Sequence, residues 1–293
     1  MWAILSISAT LCWATSNIID KTVLTKWVRK PLVPIIIVGA VWLILGIVTY
    51  LFKGFSYLSP INISLAILTG IITIIAWIFY YKAMQIQEAS RVVPLTNLSQ
   101  LFVLILAAIF LGEILTPLKY LGIFLLITGA ILISIKNFKI SFGTAFWWII
   151  LTAGLYAINS ILTKYLLNST DFWTVFGYRG IGMFIGSIPI TYLFIGDLIG
   201  TVKQNGKRVI IAISASESIT AFGILLSVMA MSIGYITLVS SLQAFQPFFV
   251  LLFTILLSIF FPSILKEEIS KSTIFLKVLA IASIVIGVIL VTS

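Results

Sequence analysis

Histidine is absent from this chain of 293 residues, cysteine occurs once, and only 9% of residues are charged. Without imidazole there is no histidine proton relay, no histidine metal ligand and no Ser/His couple. Cys12 stands alone in an apolar run, which excludes disulfides, zinc sites and thiol-pair redox chemistry. Acidic residues are scarcer than basic ones, 8 against 18. The basic residues are scattered singly between apolar stretches, so they read as topology determinants and anionic-lipid contacts, not as a nucleic-acid surface. No G-x-x-x-x-G-K-[ST] loop is present, so ATP hydrolysis by this chain is not expected. No cofactor and no metal is expected.

What is present is apolar. Hydrophobic residues make up 61% of the chain, and the mean hydropathy is +1.23. Soluble domains are about half apolar and about a quarter charged, whereas a membrane-spanning helix needs about 20 mostly apolar residues. Apolar stretches run over 3–20, 33–52, 62–81, 92–111, 118–135, 145–166, 173–196, 209–231, 235–261 and 273–292. Short polar turns separate them. The first stretch lacks a basic n-region and is long enough to span, so a retained helix is expected there, not a cleaved signal. The expected fold class is an all-α polytopic membrane protein with ten transmembrane helices, because a bilayer forces the backbone to satisfy itself internally.

The two halves resemble each other. A shift of 143 residues carries Ile7, Ala14, Ile18, Lys21 and Leu24 onto Ile150, Ala157, Ile161, Lys164 and Leu167. A shift of 147 carries Ala83, Met84, Val92, Leu95 and Phe102 onto Ala230, Met231, Val239, Leu242 and Phe249. Two five-helix repeats are therefore expected, over 1–138 and 139–293. An odd number of helices per repeat inverts the second, the architecture of alternating-access transporters.

The run from Glu88 through Pro94 to Phe102, continuing to Phe110-Leu111-Gly112-Glu113, resembles the fourth-helix signature of the EamA branch of the drug/metabolite transporter superfamily. Cys12-Trp13-Ala14, with Asn17 and Lys21 after it, is similar to that family's first-helix pattern. In the second half Gln246-Pro247 departs from the spacing around Pro94, and the acidic end Glu267-Glu268 comes several residues later. The resemblance implies transport of amino acids, related metabolites or drugs, often outward. It also implies cytoplasmic termini. The charge count points the other way: loops after the odd-numbered helices hold most Lys and Arg, among them Lys26, Arg29, Lys30, Lys203, Lys207 and Arg208. The alternate loops hold Lys53, Lys119 and Lys164, so the positive-inside rule places both termini outside.

Charge inside a bilayer is costly and marks a pathway or a pair. Arg179 and Glu217 are the interior candidates, either as a proton-coupling or zwitterion-binding couple or as a structural ion pair. Lys21, Lys164 and Asp20 read as boundary charges that snorkel to the interface. Polar and aromatic residues recur at matching places: Trp13 and Asn17 against Tyr156 and Asn159, then Trp77, Tyr80, Asn97 and Gln100, then Gln243 and Gln246. Asn97 and Gln100 are three apart, as are Gln243 and Gln246, so each pair is expected on one helix face. These residues suit a central cavity with aromatic walls and amide contacts, or interhelical hydrogen bonds. Gly177, Gly180, Gly182 and Gly186 give the seventh stretch a smooth face for close packing.

The expected function is a secondary active transporter of a small polar or amphipathic metabolite in the cell membrane, amino-acid-like solutes first. A lipid-handling or flippase-like protein on the same scaffold is the alternative. Its expected partners are that solute and the membrane lipids. An intramembrane protease fits poorly. Histidine is missing, and Asp20, Asp171 and Asp197 fall at span ends.

Overall fold

The computed structural model describes residues 1–87, 89–134, 143–260 and 271–292. The boundary between the expected repeats lies outside these residues, as do Glu88 and Glu267-Glu268. Twelve helices appear in order: α1 (Trp2–Lys26), α2 (Pro34–Lys53), α3 (Pro60–Ile86), α4 (Ala89–Thr96), α5 (Ser99–Leu111) and α6 (Pro117–Ser134). Then come α7 (Thr144–Leu167), α8 (Phe172–Asn205), α9 (Arg208–Ile233), α10 (Ile236–Gln243), α11 (Gln246–Phe260) and α12 (Lys271–Thr292). Among the described residues there are no strands.

Six of these helices, α1, α2, α3, α7, α8 and α9, are long and apolar enough to cross a bilayer. Shorter apolar stretches lie in α5, α6, α10–α11 and α12. Large apolar side chains such as Ile44, Ile109, Phe124, Trp147 and Leu193 face outward. In water such a surface would drive association; against lipid it is the matched solvent. The protein is an all-helical, multi-pass integral membrane protein.

Two stretches that read as single spans are broken. Residues 92–111 divide at Asn97-Leu98, and 235–261 divide at Ala244-Phe245. Each break is built from i→i+3 turns. Leu98 N donates to Leu95 O and Leu101 N to Leu98 O, both at 3.1 Å. A shift of 147 residues finds the same bonds, Phe245 N to Leu242 O at 3.1 Å and Phe248 N to Phe245 O at 3.0 Å. Pro247 sits in the first turn of α11, where its missing N–H leaves no intrahelical bond unmade. From the sequence, Pro94 and Pro247 allowed a kink or a tolerated bend in these stretches. A full break was not read, because an apolar run carries no mark of a single turn tightened to 3₁₀ geometry.

Packing pairs α1 with α9, α3 with α7, α2 with α8, and α6 with α12, while α3 also lies along α8. Glycine makes the closest approaches. A Cβ on Gly182 would stand 1.9 Å from Ile67 O, and one on Gly180 2.7 Å from Trp42 O, so α8 touches α3 and α2 backbone to backbone. Gly129 and Gly287 do the same between α6 and α12. The largest core cluster joins Trp42, Ile74, Trp77, Met84, Ile149, Met183 and Val228 from five helices. Burying a large apolar side chain away from water contributes about 1.5–3 kcal/mol. In lipid that drive is absent, and close van der Waals packing of small residues takes its place.

Candidate functional site

Inside this bundle lies a cavity of about 1170 Å³, including space open to the exterior. α1 supplies Trp13, Asn17 and Asp20; α3 supplies Thr73, Trp77, Tyr80 and Tyr81. The break between α4 and α5 contributes Asn97 and Gln100, and α7 contributes Tyr156 and Asn159. Arg179 comes from α8, Glu217 from α9, and Gln243 and Gln246 flank the break between α10 and α11. The residues singled out as cavity lining therefore share one space, together with Arg179 and Glu217. Ser16, which belonged to the same polar cluster in the sequence, does not line it, its Oγ donating to Ser216 O at 2.8 Å.

The route to that arrangement differs from the expected one. Asn97 and Gln100 straddle one helix break, and Gln243 and Gln246 straddle the other, so neither pair shares a continuous helical face. The breaks themselves turn these amides inward. Several lining residues were not singled out for the cavity: Asp20, Thr73, Tyr81 and Ser240. Asp20 read as a boundary charge, yet it lines the cavity and its Oδ1 accepts a hydrogen bond from Ser216 Oγ at 2.7 Å. Its signal was available, since six residues of α1 still follow it.

The second correction concerns the two interior charges. Arg179 and Glu217 do not form the ion pair that the sequence allowed. Arg179 Nη1 donates to Asn159 Oδ1 and Nη2 to Thr73 Oγ1, both at 3.0 Å. Among the described residues no carboxylate oxygen lies within 4.0 Å of its guanidinium. Glu217, 3% exposed, accepts from Trp42 Nε1 at 2.5 Å. Adjacency in the helix order says nothing about which side of each helix bears the charge, and here the two side chains serve different walls.

The remaining polar groups are mostly tied. Tyr80 Oη donates to Asn17 Oδ1 at 2.9 Å, and Trp13 Nε1 donates to Thr220 O at 3.3 Å. Asn159 Nδ2 donates to Thr69 O at 2.5 Å and to Thr73 Oγ1 at 2.8 Å. Gln243 Nε2 donates to Ser227 Oγ at 2.8 Å, and Ser99 Oγ donates to Gln100 Oε1. Buried polar atoms without partners are rare in native interiors. Yet Asn97 Nδ2, Arg179 Nε and Ser240 Oγ have none, and all three residues line the cavity.

Charged clamps flank the two reversals where a long helix turns into a short one. Lys21 Nζ donates to Met84 O at 2.9 Å and Gln87 O at 3.0 Å, at the C-terminal end of α3. Lys164 Nζ donates to Met231 O at 2.7 Å and Gly234 O at 2.8 Å, at the C-terminal end of α9. Both lysines bind helix ends, where unpaired carbonyls and the negative end of the dipole favour a cation. Snorkelling does not describe them. At the start of α10 the converse holds. Glu113 accepts from Ile236 N at 2.9 Å, Thr237 N at 3.0 Å and Thr237 Oγ1 at 2.6 Å. The carboxylate of the Leu-Gly-Glu motif thus caps the N-terminus of α10.

A bilayer-spanning helical bundle folded around a polar, aromatic-walled cavity is the build of a membrane transporter. Residues 1–135 match the EamA-like transporter family, and the chain belongs to it. An uncharacterized protein of Methanocaldococcus jannaschii is 33% identical over 110 residues, covering 37% of this chain and 80% of that one. An uncharacterized transporter from the cobO 3′ region of a Sinorhizobium species is 37% identical over 68 residues, 23% of this chain and 48% of the relative. That match spans about half the relative's length. The uncharacterized transporter YxxF of Bacillus subtilis is 27% identical over 120 residues, 40% of this chain and 39% of that one. One solved crystal structure superposes with a TM-score of 0.70 at 15% identity, covering 99% of this chain and 97% of the other. That last likeness establishes the fold alone.

Proposed function

We propose that this protein is a secondary active transporter that moves a small polar or amphipathic metabolite across the cell membrane by alternating access. Amino-acid-like solutes stand first, carried outward. On this reading the twelve helices make ten spans, with α4–α5 and α10–α11 each serving as one broken span. Residues 1–138 and 139–293 then form inverted five-helix repeats. Broken helices at a central site are the usual device of such transporters, because their turns free backbone and side-chain groups for the solute.

The observation that carries the proposal is a single cavity lined by both helix breaks and by matching residues of α1 and α7. The aromatic walls and few amides suit a solute with one apolar and one polar part. Glu217 is the group that couples transport to protons: a carboxyl on the cavity wall, held by a neutral tryptophan N–H instead of a cation.

The test is counterflow in proteoliposomes loaded with amino acids. Saturable exchange of a labelled amino acid is expected, and its loss in Asn97→Ala and Gln243→Ala. Movement of a labelled lipid with no amino-acid flux would replace this reading with a flippase. Flux of neither would sink it.

A further inference from the structure

Arg179 is an unusual residue to leave as it is found. The α8 backbone around it is pressed against its neighbours, since a Cβ on Gly70 of α3 would lie 2.2 Å from Arg179 O and 2.5 Å from Met183 N. That contact fixes where the side chain leaves the helix. Thr73, one turn along α3, and Asn159 of α7 then hold the two terminal nitrogens through neutral oxygens. Neutral acceptors orient a guanidinium but do not cancel its charge. A buried cation without a counter-ion is costly in a low-dielectric interior.

The missing anion is not supplied from across the cavity. Asp20 is engaged by Ser216 and Glu217 by Trp42, on the α1, α2 and α9 side. Arg179 Nε is buried without a partner, and so is Nδ2 of Asn97, which is only 3% exposed on the α4–α5 break. Both residues line the same cavity. The wall therefore holds a preset, planar, positively charged donor and a second, unpartnered donor. Carboxylates are the anions whose planar, two-oxygen geometry matches a guanidinium edge.

We infer that Arg179, with Asn97 as an accessory donor, is the carboxylate-binding subsite of the cavity, so that the transported solute carries a carboxylate. This rests on the transporter reading above and adds the chemical group by which the solute is held. Thr73 and Asn159 are positioning residues: they act by aiming Arg179.

Thermal unfolding of the purified protein tests it, using L-amino acids against their carboxamides and benzoate against benzamide. Each pair keeps shape and removes the negative charge. The wild type is expected to show a saturable melting-point rise with a carboxylate, at an apparent affinity about tenfold or more tighter than its amide, as loss of a charge-assisted bond implies. Arg179→Gln is expected to bind acid and amide alike, while Arg179→Lys keeps part of the preference. The acid-against-amide comparison in the wild type needs no variant to fold. Equal binding of acid and amide, no shift with any carboxylate, or an undiminished preference in a folded Arg179→Gln protein would each overturn the subsite. Counterflow separates this from the broader reading. Carboxylate binding without flux of any solute keeps the subsite and removes the transporter; flux indifferent to the carboxylate does the reverse.

Discussion

Glu217 offers the sharpest residue-scale separation of fold from function. Its Oε1 accepts one hydrogen bond, from Trp42 Nε1, and a glutamine can accept the same bond. Glu217→Gln is therefore expected to cost less than about 1 kcal/mol in thermal unfolding. At the same time it should lower flux and flatten the pH profile of proteoliposome transport. Normal flux with an unchanged pH profile would take Glu217 out of the coupling mechanism. Glu217→Leu strands the indole N–H and should cost about 1–3 kcal/mol. Outside the bilayer, Asp171 caps α8 by accepting from Trp173 N at 2.8 Å and Thr174 N at 3.1 Å. Partial burial pushes its carboxyl up, but hydrogen bonds from Ser56, Thr174 and those two amides outweigh that and hold it below the usual carboxylate range. A depressed carboxyl contributes stability above its unfolded pKa and loses it as pH falls through the folded value. Acid melts of the wild type should thus fall more steeply than those of Asp171→Asn, which keeps the cap. Asp171→Ala should cost about 1 kcal/mol at neutral pH.

Glycines sort by helix contact at the scale of elements. Gly182 and Gly154 both lie inside helices, and the sequence marked only Gly182, through its neighbours Gly177, Gly180 and Gly186, as part of a close-packing face. A Cβ on Gly182 would stand 1.9 Å from Ile67 O, while one on Gly154 meets nothing within 4 Å. Gly182→Ala is expected to destabilise by about 1–3 kcal/mol through overpacking. Gly154→Ala should stabilise by about 0.4–1 kcal/mol by restricting the unfolded chain. Thermal melting of both variants checks the pair, and similar effects at the two positions would refute the packing account. The helix reversals behave as elements too. Glu113→Gln leaves one fewer acceptor for the Ile236 and Thr237 amides and the Thr237 hydroxyl. It should therefore speed hydrogen exchange at the start of α10. Unchanged exchange there would show that the cap contributes nothing.

For the whole molecule, the ten-span reading requires both termini on the same side of the membrane, and the charge count places that side outside. Reporters active on one side only, fused to each end in turn, are expected to report together from outside. Reporters on opposite faces would remove the ten-span reading, whereas agreement on the inner face would remove the charge argument alone. The clamps bear on the same question. Lys21 and Lys164 serve different helix reversals, which ten spans would set at opposite faces, so each face would carry one lysine bound to a helix end. Both were counted as topology charges, and burial on main-chain carbonyls weakens that role.

What one strand of sequence determined is the solvent and the cast. With 61% hydrophobic residues and 9% charged, the chain can fold only where lipid replaces water. The few polar groups left over in its spans must then face inward. Those properties are local sums over residues, which is why Trp13, Asn97, Tyr156 and Gln243 could be picked out before any helix was placed. The partners were decided only in three dimensions. Which face of α8 meets α3 depends on Gly70 and Gly182 fitting backbone to backbone. That fit sends Arg179 to Thr73 and Asn159 and leaves Glu217 to Trp42. The chain without histidine, almost without cysteine and poor in charge thus placed its cationic side chain where, among the described residues, no carboxylate answers it.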